Sequence, residues 1–127
     1  GAAGPDARLR ALIGAQLSAI SETPALPSIL FSRELQVDNP ALRDVFRALL
    51  GALQVRLVAV IRDLQAAGDL HSDVSPDDIA ILLTSLVQGV AIRWTLGARG
   101  FAVVPEGLRL FDVQMEVLRA KEGACDA

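Results

Sequence analysis

Residues Asp73–Leu96 read DVSPDDIAILLTSLVQGVAIRWTL. The stretch predicts a helix with too little polar surface for a bundle made by one chain. Ser75 is placed to cap it, Pro76 suits the first helical position, and Asp77 and Asp78 suit the positive end of its dipole. At the helical period Thr84, Gln88 and Thr95 share one narrow stripe. Ile79, Leu82, Leu83, Leu86, Val87, Val90, Trp94 and Leu96 occupy most of the remaining arc. An ordinary surface helix carries an apolar stripe roughly 100° wide. A helix greasy over most of its girth needs cover on more than one side. In a short water-soluble chain, a second copy is the simplest cover.

Downstream, Gly97–Val104 breaks the pattern, and a further helix is predicted over Pro105–Lys121. Leu108, Phe111, Met115 and Leu118 share one of its faces; Leu110, Val113 and Val117 share another. Upstream, the loop Asp69–Val74 follows a long helix over Pro40–Ala67. Asn39 is its candidate cap, Pro40 takes its first turn and Gly68 is its stop. That helix spans about 40 Å. Leu42, Phe46, Leu49, Leu53, Leu57, Val60 and Leu64 hold one face, with Arg56 at its edge. A short helix is predicted over Ala25–Leu35. The first helix covers Asp6–Glu22, with Leu9, Leu12, Ile13, Leu17 and Ile20 as its stripe and Gln16 in the middle of it. Five helical segments and no strand predict an all-α antiparallel helical bundle of about five helices, dimerising through the last two long ones. No repeat or linker divides residues 1–127, which read as a single domain.

Composition narrows the function. The chain is 52% hydrophobic but only 4% aromatic, so the expected core is Leu, Val, Ile and Ala, and 21% charged residues argue against disorder. Net charge is −3, and the basic residues, nearly all arginine, are spread singly, so no cluster tracks phosphates. Thr84, Ser85, Gln88 and Arg93 interrupt the longest apolar run, which argues against a membrane span. The lone Cys125 fits a reducing cytoplasm, the expected location. There is no phosphate loop, zinc spacing or nucleophile elbow, and His71 is the single histidine, expected on an exposed loop. The Asp77–Asp78 pair is explained by the helix dipole. The chain is therefore expected to be no enzyme, with no metal and no cofactor.

The runs LFSRELQVDNPALRDVF, AAGDLHSDVSPDDIAILL, LVQGVAIRW and EGLRLFDVQMEVL, together with the opening ARLRALIGAQLSAI, cover most of the chain. In this order they resemble the C-terminal regulatory domain of TetR-family (tetracycline-repressor-like) transcription regulators. That resemblance implies a ligand-binding domain that forms a homodimer, usually through its last two long helices. It also implies an N-terminal helix-turn-helix domain that binds operator DNA, commonly as a repressor. No such segment or basic recognition helix is present here, so contact with DNA is expected only through that missing part.

Two sites follow as expectations. For the dimer interface, Leu82, Ser85, Gly89, Arg93 and Leu96 share a flank of the Asp73–Leu96 helix, where small Ser85 and Gly89 allow close approach. Leu108, Phe111, Met115 and Leu118 of the last helix are assigned to the same interface. The alternative is that the first helix covers that flank within one chain. For the ligand pocket, Gln16 and Arg56 are polar residues on apolar faces, with Leu17, Ile20, Phe31, Phe46, Leu49, Leu53, Leu83, Val87 and Trp94 as walls. The effector expected there is small and apolar or amphipathic, and an anionic or carbonyl-bearing compound would suit Arg56. The alternative gives Gln16 a backbone group and pairs Arg56 with Asp63 or Glu34. Thr84, Gln88 and Thr95 line a polar wall or face water. The competing overall reading is a helical protein–protein interaction module with a solid interior.

Overall fold

The computed structural model describes residues 4–23, 37–97 and 100–119. They form four helices: α1 (Pro5–Glu22), α2 (Pro40–Ala66), α3 (Pro76–Leu96) and α4 (Val103–Leu118). The expected helix over Ala25–Leu35 lies outside the described residues. Among those described there is no strand, only an isolated antiparallel bridge between Leu70 and Arg119.

Helix boundaries follow local chemistry, with two corrections. Asn39 and Ser75 precede α2 and α3, but neither side chain makes a capping bond. Each helix has proline in its first turn, which already removes one orphan donor. The backbone carbonyls of Asn39 and Ser75 accept from the Arg43 and Ile79 N–H groups at 3.0 Å. The last helix also starts earlier than predicted, at Val103, because Pro105 sits in the first turn where no intrahelical donor is needed. At the end of α2, Gly68 adopts φ +81°. Its N–H donates to Gln65 O at 3.0 Å, and Asp69 N–H donates to Leu64 O at 2.9 Å. These paired bonds satisfy the last carbonyls of the helix, and the left-handed φ they require favours glycine.

The loop after Gly68 is tied down. Gln65 Nε2 donates to the carbonyls of His71 (2.9 Å) and Val74 (2.8 Å), and the His71 N–H donates to Leu118 O at 3.1 Å. His71 is thereby half-buried rather than freely exposed.

Helix α1 is the central strut. Its stripe Leu9, Ile13, Leu17 and Ile20 is buried. Helix α4 runs antiparallel beside it: Arg10 pairs with Asp112, Gly14 faces Leu108, and Leu17 faces Gly107. Helix α2 is also antiparallel to α1, with Arg8 pairing to Asp63. Leu57, Val58, Val60, Ile61 and Leu64, all in the C-terminal half of α2, join the core. Gln54 Nε2 reaches the carbonyl of Asp77 at 3.2 Å and so fixes the start of α3 beside the middle of α2. By length and composition α3 could cross a membrane, despite its polar interruptions. In this fold one side of it completes the bundle core through Ile79, Ala80, Leu83, Val87, Val90, Ala91 and Trp94.

Candidate functional site: an apolar face on α3 and α4 and a groove beside α1

The buried residues of α3 occupy one arc. The opposite arc carries Ile81, Leu82, Ser85, Ile92, Arg93 and Leu96, all exposed, with Leu96 82% accessible. Gly89 lies among them, and an added Cβ there would meet nothing within 4 Å. This is the flank assigned to a dimer interface from the sequence, and no part of the described chain covers it.

The assignment on α4 is corrected. Phe111 and Met115 are each 3% exposed and Leu118 is also buried. Leu108 is half-buried and packs against the core, facing Gly14. That face packs on α1, where Gly107 approaches Leu17 too closely to carry a side chain without a shift. The outward apolar residues are Val113 and Val117, 52% and 66% exposed, whereas Leu110 of the same sequence row is half-buried against the core. The periodicity showed two apolar faces on this helix but not which one met α1.

The outward rows of α3 and α4 meet at a charged corner. Arg109 donates to both oxygens of Glu106, at 2.7 and 3.0 Å, and Arg93 approaches Glu106 at 3.7 Å. Arg93 also lies over the Phe101 ring, 5.5 Å from its centroid. The hydrogen bond from Arg109 holds the Glu106 carboxyl below its ordinary value; partial burial pushes the other way, and the charges of Arg109 and Arg93 add to the lowering. A carboxyl lowered on folding contributes stability above its unfolded pKa, and that contribution is lost as pH falls through the folded value. Trp94 fluorescence, one residue from Arg93, is therefore expected to stay constant through neutral pH and change only in acid. A transition near neutrality would contradict this.

The proposed pocket residues are not brought together as one wall. Leu17, Ile20, Leu83, Val87 and Trp94 belong to the core cluster, and Leu53 packs against it. Phe46 is half-buried, Leu49 is 61% exposed, and Phe31 lies outside the described residues. Gln16 sits at the edge of the α1 stripe with Oε1 enclosed and without a hydrogen-bond donor among the described residues. Thr84 and Thr95 are half-buried and donate one turn back, to Ala80 O (2.7 Å) and Ala91 O (2.9 Å); Gln88 is also half-buried. Arg56 departs furthest from expectation. It is exposed, on the outer side of the α1–α2 pair; of its two alternative partners, Asp63 bonds Arg8 at 2.9 Å and Glu34 lies outside the described residues. There it lines an open groove of about 520 Å³ with Arg8, Ala11, Leu12, Ala15, Ala59 and Val60.

Among the described residues no group of three or more His, Cys, Asp or Glu is arranged to hold a metal ion. No curated protein and no solved structure matches the chain significantly. The family of BetI-type transcriptional repressor C-terminal domains matches residues 5–108, most of the chain and three of the four helices in full. The all-helical fold agrees with that match, and the chain belongs to this family, as the C-terminal domain of a TetR-like transcription regulator.

Proposed function

We propose that this domain senses a small-molecule effector and forms a homodimer. Effector binding would alter operator binding by an N-terminal DNA-binding domain of the same regulator. The observation that carries the dimer half is the uncovered apolar face on α3 and α4: Ile81, Leu82, Ile92, Leu96, Val113 and Val117 are all exposed. A row of exposed apolar residues around small Ser85 and Gly89 suits a helix–helix contact better than a solvated face. Two-fold pairing of α3 and α4 with their copies would build a four-helix interface. Sedimentation equilibrium tests this: a mass twice that of the chain is expected. A monomer at tens of micromolar would favour the interaction-module reading, with this face meeting a different protein.

The effector half is supported by Gln16. An enclosed acceptor without a donor costs about 1–3 kcal/mol. A ligand N–H or O–H group would satisfy it. Ligand binding of this kind acts by stabilising one arrangement of α1 and α2 over another, to the extent of its affinity difference. Gln16→Leu removes the orphan oxygen at similar volume and is expected to raise stability by about 1 kcal/mol in urea denaturation. A loss of stability instead would mean that the oxygen already has a partner.

A further inference from the structure

We propose that the groove between α1 and α2 is a binding site for an amphipathic organic anion: a carboxylate carrying an unbranched apolar tail. It goes beyond the effector reading and adds a second ligand site, on the outer side of the α1–α2 pair. The groove has an apolar floor and a cationic rim. Ala11 and Ala15 of α1 face Ala59 and Val60 of α2, and the short side chains leave the roughly 520 Å³ open. Arg8 and Arg56 stand on its sides, and among the described residues the only carboxylate bonded to either is Asp63, which takes one hydrogen bond from Arg8 Nη2 at 2.9 Å. Arg56 has no ion pair among the described residues. Two guanidiniums against one carboxylate leave an excess positive charge beside apolar surface, in a chain whose net charge is −3.

A guanidinium presents several donors in a plane, and a carboxylate accepts two of them side by side. An alkyl tail lying along the Ala11–Ala15–Ala59 floor removes apolar surface from water on both partners. A neutral polar ligand would waste Arg56. An inorganic anion would leave the floor wet. Half-buried Gln16 is not among the residues that line the groove, so the two are separable by mutation.

The test is calorimetric titration of the dimeric domain with decanoate, with 1-decanol as the uncharged control. Saturable decanoate binding is expected, weaker by about tenfold for Arg56→Gln, as for loss of one charge-assisted pair. Filling the floor with Ala15→Leu or Ala59→Leu is expected to abolish it. All three positions are exposed, and unchanged thermal unfolding confirms intact folds. Decanol binding as tightly as decanoate would overturn the proposal, as would absence of saturable binding. Decanoate binding indifferent to all three substitutions would also overturn it, while leaving an effector site elsewhere in the domain. Dimer mass measured on the same samples reports separately on the homodimer reading.

Discussion

Leu82→Glu combined with Val117→Glu is expected to convert the homodimer into a monomer. Both side chains are well exposed in the single chain, 47% and 66%, so glutamate meets water there and the fold loses little. In a two-fold interface each substitution occurs twice, so four carboxylates would enter an apolar contact. Leaving unpaired charge there costs several kcal/mol, and the dimer dissociation constant should rise by more than about a hundredfold. Sedimentation should show the single-chain mass, with the helical circular dichroism unchanged. Gly89→Leu separates the interface from the fold in a second way. Open space above Gly89 accommodates a side chain in the single chain, and leucine is a better helix former than glycine by nearly 1 kcal/mol. Weaker dimerisation without loss of helix would place a partner's backbone against Gly89. If both variants remain dimers as tight as the parent, the α3–α4 face is not the interface.

Leu17→Ala is expected to have the largest effect on stability. Leu17 is fully buried, and truncating such a leucine costs about 2–5 kcal/mol through lost transfer energy and the cavity left behind. Its position opposite Gly107 makes the effect conditional. A Cβ on residue 107 would lie 2.5 and 2.6 Å from the Leu17 methyls and 3.1 Å from its Cγ. The methyls have no free volume to turn into, since Leu17 is enclosed. Gly107→Ala alone should therefore lose about 1–2 kcal/mol by overpacking, even after the better helix propensity of alanine. The double substitution Leu17→Ala/Gly107→Ala should lose less than the sum of the two, because the new methyl enters space that leucine vacates. Urea denaturation at one fixed protein concentration measures the cycle, since dimerisation makes apparent stability concentration-dependent. Strict additivity would mean that α1 and α4 do not touch at this pair.

The α1 stripe illustrates what could be read in advance. Leu9, Ile13, Leu17 and Ile20 recur at the helical period, and all four are buried. The outward flank of α3 was legible for the same reason: apolar residues around most of a circumference cannot all meet one core. On α4 the same logic stopped short. Two apolar faces can be exchanged without changing the pattern; Phe111 and Met115 went inward on the side where Gly107 lets α1 approach. A glycine inside an apolar helical face was the available signal for that contact. Arg56 shows the complementary limit. Its neighbour at one helical turn, Val60, is buried, yet the guanidinium lies outside. Ion pairing was no guide either, because Asp63 serves Arg8 from another helix.

The sequence by itself determined that the chain is helical, where α1, α2 and α3 stop, and that α3 carries more apolar surface than one core uses. Those properties depend on neighbours within a few residues: prolines in first turns, a left-handed glycine at the end of α2, and apolar spacing. Only the tertiary structure decided which face of α4 is inside, that Arg8 rather than Arg56 holds Asp63, and that the α1–α2 groove is lined by alanines and arginines. These depend on the approach and register of helices far apart in the chain, which volume and glycine placement set at the moment of packing.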